Sequence, residues 1–192
     1  MLLGFDRIAK LLDLHKPGEL PADDRTRAAV AMVLRQGRHG MEMLFIERAT
    51  HERDPWSGNL AFPGGKVEPG EEPRQAAERE TVEEIGLELG SARYLGRLAD
   101  IAGAHLRVRV TCFVYGMQAN RFEPVLNYEV KDLFWVGLDD LMAAGRRVTA
   151  PVSFDDQEFD VPAIRLPQPG KPVLWGLTYR LTMQFLEIVA ES

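Results

Sequence analysis

The sequence predicts a single α/β domain, and three observations support this fold class. Segments with the patterns of β-strands fill the middle of the 192-residue chain, and helical patterns lie over residues 73–85 and near both ends. No repeat, low-complexity stretch or linker separates two cores. A chain of this length can bury a substantial core as one domain. We therefore expect an N-terminal helix and loop over residues 1–24 and one domain over residues 25–192.

The first half of the chain begins with a short helix and continues with a hairpin. Residues 1–16 form an amphipathic pattern, and the apolar side of this helix would contain Leu3, Ile8, Leu11 and Leu12. Residues 27–36 and 41–48 have the composition of strands. The segment GRHG (37–40) between them supplies the residues of a hairpin turn.

The second half combines strands with shorter helical segments. Three further strands are predicted over residues 92–100, 106–117 and 132–138. We expect a short helix over residues 139–144, and an irregular segment or small hairpin over the Pro-rich residues 148–174. The sequence from residue 178 predicts a final helix, whose apolar stripe would pack in the core: Leu181, Phe185, Leu186 and Val189.

Composition and charge exclude several classes of function. The formal net charge is −6 and no basic block is present, which argues against a large nucleic-acid surface. A small phosphorylated substrate stays compatible with this charge, because bound cations would invert the local field. No apolar run is long enough to span a bilayer, and the N-terminal segment lacks a secretory pattern. The single cysteine, Cys112, excludes an internal disulfide and indicates a packed thiol in a cytoplasmic protein.

The stretch over residues 62–87, FPGGKVEPGEEPRQAAERETVEEIGL, carries the clearest chemical signal. Pro73 suits the first turn of a helix, and Gly86 suits the left-handed residue just after one. Three glutamates at spacing i, i+3 and i+4 project from one side of this helix: Glu80, Glu83 and Glu84. Like charges at this spacing repel each other, so a helix normally avoids this arrangement. Two interpretations account for it: a solvated acidic face, or a site where a bound metal ion offsets the repulsion.

The surroundings of these carboxylates favour the metal site. Two alanines leave room beside them, and a Gly-Gly pair precedes the helix, as a backbone that approaches a ligand requires. Arg79 lies beside Glu80, and Glu71 lies far enough back to reach Arg79 across the loop. Mg²⁺ prefers carboxylate oxygens and is commonly shared with substrate phosphates. The cluster therefore predicts a site for a hard divalent cation.

The same residues resemble the Nudix box. In that motif Gly, five residues, Glu and seven residues precede Arg-Glu-U-x-Glu-Glu-x-Gly-U, where U is a bulky aliphatic residue. This sequence fills the motif over residues 65–87 with Gly65, Glu71, Arg79, Glu80, Glu83, Glu84, Gly86 and Leu87. Thr81 occupies the first aliphatic position, a departure that affects core packing more than chemistry.

The resemblance implies an α/β/α sandwich on a mixed sheet. It also implies a metal-dependent pyrophosphohydrolase that cleaves a nucleoside diphosphate linked to another moiety. Glu80 and Glu84, one turn apart, would be the principal ligands of Mg²⁺ or Mn²⁺. Glu83 would be a further ligand or would bridge two ions, and the Gly65 carbonyl would be an additional ligand.

The resemblance also implies roles outside the metal ligands. Glu71 and Arg79 would orient the ligands through a salt bridge. Nudix enzymes take the general base either from the box or from a glutamate on a later loop, which here is Glu129. His105 could also face the cleft, but a lone histidine next to a strand is more often structural or solvated. The candidates for catalytic roles are therefore Glu83, Glu84, Glu129 and Arg79.

The flanks of the box resemble Nudix coenzyme A pyrophosphatases. The run RATHERDPWSGNLAFPGG matches their segment before the box at Gly58 and at FPGG. Arg53, however, stands one residue too far from Gly58, with Asp54 where the arginine of that branch would fall. NYEVKDLFWVGL and LWGLTYRL also resemble that branch. An arginine can bind phosphate and an indole can stack on a base, so the candidate substrate contacts are Arg48, Arg53 and Trp56. Arg107 and Arg109 are expected in solvent.

Coenzyme A or a derivative is the leading substrate, with ADP-linked sugars and nucleoside triphosphates as alternatives. A Nudix domain that senses a nucleotide without cleaving it is the alternative from another class. A helix that binds Ca²⁺ structurally is disfavoured, because the sequence lacks an EF-hand loop. Homodimers are frequent among Nudix proteins, so self-association is a further expectation.

Overall fold

The protein forms the predicted α/β domain with a mixed sheet between helices. The structure is a computed structural model that describes residues 3–21, 23–50, 57–103, 107–118, 122–154 and 157–190. The helices in these ranges are α1 (Phe5–His15), α2 (Pro73–Ile85), α3 (Leu138–Met142) and α4 (Gly176–Ala190). The strands are β1 (Thr26–Gln36), β2 (Met41–Arg48), β3 (Leu60–Ala61), β4 (Gly64–Lys66), β5 (Arg93–Arg97), β6 (Ile101–Ala102), β7 (Val108–Met117), β8 (Val130–Gly137), β9 (Arg147–Phe154) and β10 (Gln157–Ile164).

Strand β1 is the central strand of an eight-stranded sheet. It runs parallel to β7 along nearly its full length, from Thr26 opposite Val108 to Arg35 opposite Met117. On its other edge β1 changes partner: its last residues pair with β2, whereas residues 28–30 pair with β4. Strand β2 continues the sheet to β3 and β8, and β7 continues it to β5 and β6. The predicted β1–β2 hairpin is confirmed.

The two faces of the sheet carry separate cores, because side chains alternate along each strand. Met32 and Leu34 of β1 face the core that contains α1 and α4. Ala29, Ala31 and Val33 face the core that contains α2. Helices therefore cover both faces, and the predicted α/β/α sandwich is confirmed.

The predicted apolar faces of the terminal helices are largely buried. Ile8 and Leu12 of α1 lie in the core, while Leu3 and Leu11 are half-buried against it. All four predicted residues of the α4 stripe are buried: Leu181, Phe185, Leu186 and Val189. Cys112 is buried as well, and this burial raises the pKa of its thiol.

Several element boundaries differ from the prediction. The strand expected over residues 92–100 is two strands, β5 and β6, and both pair with β7. The helix expected over residues 139–144 is the single-turn helix α3 followed by a 3₁₀ turn over Ala144–Arg146. Within segment 148–174 the alternative of a small hairpin is confirmed by β9 and β10, which form a separate two-stranded sheet. In the described part of the chain, no helix has both the length and the apolar character needed to cross a membrane.

Candidate active site

Helix α2 has well-defined ends that fix the position of its glutamates. Pro73 occupies the first turn, and Glu72 and Gln75 form a capping box at the N-terminus. At the other end Gly86 adopts the left-handed conformation (φ 73°) and donates its N–H to the Val82 carbonyl at 2.9 Å. The start and end of the helix therefore agree with the sequence prediction.

Arg79 connects three carboxylates of the predicted site. Its guanidinium donates two hydrogen bonds to Glu71, at 2.9 Å from Nε to Oε1 and 3.1 Å from Nη2 to Oε2. Its Nη1 donates to Glu80 at 2.9 Å and to Glu83 at 3.3 Å. Hydrogen bonds from Arg79 hold the pKa of the Glu71 carboxyl below its usual range. A further bond from Nη2 to the Lys66 carbonyl, at 3.2 Å, ties this network to the end of β4.

Glu84 is the most deeply buried carboxylate of the group, with 2% of its surface exposed. Its Oε2 accepts a hydrogen bond from the Gly64 N–H at 2.8 Å, and its Oε1 lies 4.0 Å from Nη1 of Arg48. Burial raises the pKa of Glu84 to about 8, against the opposing effects of the Gly64 N–H and Arg48. Burial also raises the pKa of Glu80.

The two glycines of β4 make close contacts that a side chain would block. A Cβ atom on Gly65 would lie 2.5 Å from the carboxyl carbon of Glu80. A Cβ on Gly64 would lie 2.3 Å from the Ala29 carbonyl oxygen, and Gly64 has a φ of 150°. The Gly-Gly pair therefore lets β4 lie directly between β1 and the carboxylates of α2.

The loop that carries Glu129 is fastened to the end of α2. The Val125 N–H donates to the Ile85 carbonyl and the Asn127 N–H donates to the Glu84 carbonyl, each at 3.0 Å. The Glu129 carbonyl accepts from the Ala49 N–H at 2.7 Å, just beyond the end of β2. The charge of Glu129 contributes to the raised pKa values of both Glu80 and Glu84. The structure therefore holds the backbone of this loop between the end of α2 and the segment that follows β2.

The remaining residues considered from the sequence, which are the candidate substrate contacts, His105 and the two arginines of β7, lie in different environments. Arg48 lies at the end of β2, next to Glu84. Arg53, Trp56 and His105 lie outside the described residues. Arg107 is exposed, as predicted, and pairs with Asp24. Arg109 is half-buried rather than in solvent, because its guanidinium donates to the carbonyls of Leu20 and Pro21.

The donor atoms of this cluster fit a hard divalent cation. Carboxylate oxygens are the ligands that Mg²⁺ prefers, and Glu80 and Glu84 place several of them beside β4. Burial, and to a smaller extent repulsion from neighbouring carboxylates, raises the pKa values of Glu80 and Glu84 and so disfavours their charged forms. A bound cation would relieve this repulsion. Over the described ranges, no three Asp, Glu, His or Cys side chains already converge in a coordinating geometry, and Arg79 instead bonds Glu80 and Glu83.

A cavity of about 510 Å³ lies on the face of the sheet opposite α2. It reaches Gly64, Gly65 and Arg48, which also contact the carboxylates. Most of its lining is apolar and comes from β1, β3, β7 and the start of α4: Ala28, Val30, Leu60, Ala61, Phe62, Val108, Val110, Leu177 and Leu181. Asn59 and Trp175 also line it, and the Trp175 indole N–H donates to Asn59 Oδ1 at 3.0 Å.

Sequence reasoning did not assign Asn59 or Trp175 to the site. Asn59 lies in an irregular segment with no motif of its own. Trp175 belongs to the run LWGLTYRL, which resembles the coenzyme A branch. That resemblance was the available signal for Trp175.

Comparisons with known proteins identify the family of this domain. A model of the NUDIX domain family matches residues 25–155. The chain belongs to the Nudix hydrolase family. Members of this family generally use divalent metal cations.

One curated relative and two solved structures illustrate the similarity. Nudix hydrolase 3 of Caenorhabditis elegans is 32% identical over 152 residues, which cover 73% of this chain and 62% of the relative. A MutT/Nudix family protein from Enterococcus faecalis has 17% identity and a TM-score of 0.59, over 97% of this chain and 72% of that protein. The Nudix domain of Shewanella oneidensis NrtR, complexed with ADP-ribose, has 15% identity and a TM-score of 0.55, over 88% and 89%.

The Nudix prediction is confirmed by these similarities, and the two structures support the fold alone. The chain spans less than two thirds of the length of the curated relatives that it matches. The coenzyme A branch stays a prediction, because the descriptions of these proteins name no coenzyme A substrate.

Proposed function

We propose that this protein is a metal-dependent pyrophosphohydrolase that cleaves a nucleoside diphosphate linked to another moiety. The observation that carries this proposal is the contact of two α2 carboxylates with the β4 glycines beside the cavity: Glu84 bonds the Gly64 N–H, and the carboxylate of Glu80 lies against Gly65. Phosphoryl transfer depends on positioning and charge neutralisation more than on covalent chemistry by the protein. A carboxylate cluster next to a ligand-sized cavity suits that requirement.

In this proposal Glu80 and Glu84 are the principal ligands of Mg²⁺ or Mn²⁺. Glu83 and the Gly65 carbonyl are further ligands. When bound, the cation neutralises charge on the phosphate oxygens and acidifies an attacking water. The Gly64 N–H holds one oxygen of Glu84 at 2.8 Å and thereby fixes the orientation of the carboxylate.

Arg79 and Glu71 are positioning residues in this mechanism. The two parallel hydrogen bonds between them fix the plane of the guanidinium. Nη1 can then hold Glu80 and Glu83 without a change in the Glu71 contact. Such supporting contacts matter because metal affinity depends on ligand orientation.

Glu129 is the proposed general base, with Glu83 and Glu84 of the box as alternatives. Its loop is bonded to both α2 and the segment after β2, so the backbone next to Glu129 is held close to the ligands. The side chain of Glu129 is not among the carboxylates that bond Arg79. If Glu129 is the base, Glu129→Gln should lower kcat and leave the half-saturating Mg²⁺ concentration unchanged.

Coenzyme A or a derivative is the leading substrate in this proposal. Its support is the resemblance of residues 127–138 and 174–181 to that branch. Arg48 lies between the cavity and Glu84, where it could bind a substrate phosphate. ADP-linked sugars and nucleoside triphosphates are the alternatives. A domain that binds a nucleotide without cleaving it is a second candidate function, because the NrtR domain of similar fold is complexed with ADP-ribose.

The test is product release from a panel of phosphate anhydrides, each measured with Mg²⁺, with Mn²⁺ and with chelator. The panel contains coenzyme A, ADP-ribose, a dinucleoside polyphosphate and a nucleoside triphosphate. Metal-dependent release of a phosphopantetheine product supports the coenzyme A branch. Cleavage of another member keeps the reaction and refutes that substrate. Tight binding of one compound without cleavage of any would refute the hydrolase and favour the binding domain.

A further inference from the structure

We propose that a second cavity, at the start of α2, binds a phosphate group between Arg27 of β1 and Arg109 of β7. This arginine cavity has a volume of about 330 Å³ and lies on the α2 face of the sheet. Arg74 and Arg97 also line it, whereas the proposed metal ligands do not. The site would therefore be separate from the carboxylate cluster and would not depend on the proposed reaction.

Arg27 and Arg109 lie directly opposite each other in the parallel pair of β1 and β7. Because side chains alternate along a strand, Arg27 lies on the same face as Ala29, and Arg109 lies on the same face as Phe113. Ala29 and Phe113 both pack in the core beneath α2. Like charges at opposite positions of neighbouring strands destabilise a sheet. This arginine pair therefore needs a negative charge to compensate it.

The acidic residues closest in the chain to β1 do not supply that charge. Within the described ranges, neither arginine of the pair forms a salt bridge. The carboxylates just before β1 are paired elsewhere, Asp23 with Arg25 and Asp24 with Arg107. The β1–β7 pair is therefore left without a carboxylate partner in the part of the chain that the structure describes.

The carboxylates that line the cavity also have other partners. Glu19 accepts a hydrogen bond from Arg97 at 3.0 Å, and Asp100 lies 3.5 Å from the same guanidinium. The side chain of Glu72 accepts a backbone N–H in the first turn of α2, as part of the capping box. The lining thus contains four arginines and three carboxylates, and each carboxylate is already bonded outside the β1–β7 pair.

The arginines of the cavity have hydrogen-bond donors that no described group uses. Arg109 donates only from Nη1, to the carbonyls of Leu20 and Pro21 at 2.9 and 3.0 Å, so its guanidinium is fixed while Nε and Nη2 stay available. Arg97 Nε is buried and has no partner among the described atoms. Arg27 uses none of its side-chain donors there. A buried donor without an acceptor costs free energy, and a bound oxyanion would supply the acceptor.

A phosphate group fits these donors better than a metal ion or a carboxylate. Arginine stays protonated in proteins, so the site excludes a cation. One guanidinium fork is enough for the two oxygens of a planar carboxylate, whereas a tetrahedral phosphate can accept from two forks on neighbouring strands. The net charge of −6 disfavours a nucleic-acid backbone. The ligand class is therefore inorganic phosphate or a small phosphorylated compound.

An occupant of this cavity would lie against the segment that joins β4 to α2. Val67 and Pro73 line the cavity, and the Val67 N–H donates to the Arg27 carbonyl at 2.9 Å. Glu71, which accepts two hydrogen bonds from Arg79, lies between these two positions in the chain. A ligand that binds only the folded protein stabilises it by mass action, so phosphate should raise the melting temperature.

The experiment is calorimetric titration of the full chain with inorganic phosphate, in the presence of chelator and with potassium chloride added to keep the ionic strength constant. We expect saturable binding, and a melting temperature that rises with phosphate but not with chloride at equal ionic strength. Arg27→Gln should weaken binding by about tenfold or more, because it removes hydrogen bonds from a charged donor. Arg27→Lys should have an intermediate affinity, since it keeps the charge and loses the fork.

Arg93→Gln is the matched control, because it removes the same charge from an exposed arginine that pairs with Asp6 and does not line the cavity. Arg48→Gln tests the active site, where Arg48 lies next to Glu84. Both variants should bind phosphate as the wild type does. Arg27 is exposed, so Arg27→Gln should fold, and its melting temperature without phosphate checks this.

Absence of saturable phosphate binding by the wild type would overturn the proposal. Unchanged affinity in Arg27→Gln, or loss of binding in Arg48→Gln or Arg93→Gln, would also overturn it. If Arg27→Gln does not fold, Arg27→Lys still decides the outcome. Because the titration contains no divalent metal and no nucleotide, its result is independent of whether any panel compound is hydrolysed.

Discussion

The two long helices that flank the sheet, α2 and α4, pack in different ways. Helix α2 buries two alanines, Ala76 and Ala77, against the sheet and carries four glutamates. Helix α4 buries large side chains that include Leu181 and Phe185. Small contact residues let a helix lie close to the strands beneath it, whereas large ones hold it further away. The carboxylates of α2 therefore reach the β4 backbone, and the cavity lies beside the first turns of α4.

As a result, the charged groups and the apolar cavity lie on opposite faces of the same sheet. The α2 face contains the proposed ligands, and their charges are balanced by Arg79 and opposed by burial. The opposite face contains the apolar cavity. Strand β4 contacts both, which explains why two adjacent glycines are needed there. Substitutions on each side should accordingly alter different measurable properties.

The largest expected effect follows from Glu84→Gln. This change removes a ligand charge but keeps an oxygen that can accept the Gly64 N–H, so the fold should be retained. We expect metal-dependent turnover to fall by more than about a hundredfold, because loss of a group that merely orients a ligand costs roughly 10–100-fold. Initial rates over a Mg²⁺ titration, together with a circular dichroism spectrum, measure both properties.

Glu78→Gln is the control on the same helix. Glu78 bonds Arg74 and Tyr115 and lies away from β4, so this variant should keep turnover within about twofold of the wild type, as expected for a substitution outside the reaction site. Near-normal Mg²⁺-dependent turnover in Glu84→Gln would refute the assignment of the ligand.

The adjacent glycines Gly64 and Gly65 should separate stability from metal binding. Gly65→Ala would displace only the mobile end of Glu80, so we expect a roughly 10–100-fold weaker response to Mg²⁺ with a nearly unchanged melting temperature. Gly64→Ala would contact the Ala29 carbonyl and strain a positive φ, so it should lower the free energy of unfolding by about 1–3 kcal/mol. Metal titration and urea unfolding of both variants test this contrast. Equal losses of stability would contradict it.

The same comparison explains which parts of the site could be predicted from sequence. The signals of α2 are local: Pro73 and Gly86 mark its ends, and the glutamate spacing follows the helical repeat. The contact between Glu71 and Arg79 spans only eight positions. These features can be inferred without knowledge of the tertiary structure.

The cavity could not be predicted because its lining is assembled from distant segments. Asn59, Val108 and Trp175 come together only when β3, β7 and the start of α4 pack on the same face. Apolar residues of this kind also fill ordinary cores, so their type alone does not indicate a binding site. The division of the predicted strand 92–100 into β5 and β6 likewise depends on pairing with β7.

A smaller effect is expected at Lys171, in the segment that precedes Trp175. Lys171 is 15% exposed and pairs with the buried Glu47, whereas Lys131 pairs with the same carboxylate but is 62% exposed. Lys171→Met should lower the free energy of unfolding by about 1–3 kcal/mol, since it leaves a buried charge with one partner fewer. Lys131→Met should cost less than about 1 kcal/mol. Urea unfolding at pH 7 distinguishes them, and equal costs would show that burial of Lys171 has no energetic consequence.

The smallest effect concerns the pH dependence at Glu47. Burial tends to raise the pKa of this carboxyl, but hydrogen bonds from Lys131 and Lys171 outweigh burial and lower it below 4.5. The stabilisation is therefore fully present above pH 4.5 and is lost as the pH falls through the lower pKa of the folded state. The stability difference between wild type and Glu47→Gln should be constant at neutral pH and shrink below pH 4.5. Denaturant unfolding between pH 3.5 and 7 measures it, and a difference that grows on acidification would show the opposite shift.

The parallel pairing of β1 with β7 has a consequence for how the protein folds. The β1–β2 hairpin joins residues that are close in the chain, so it can form early. The β1–β7 ladder instead pairs residues that are far apart in the chain, such as Thr26 and Val108, with the whole box segment between them. Loop-closure entropy makes such non-local pairing slow. The carboxylates and the cavity should therefore reach their final arrangement together and late in folding, because both depend on the same central ladder.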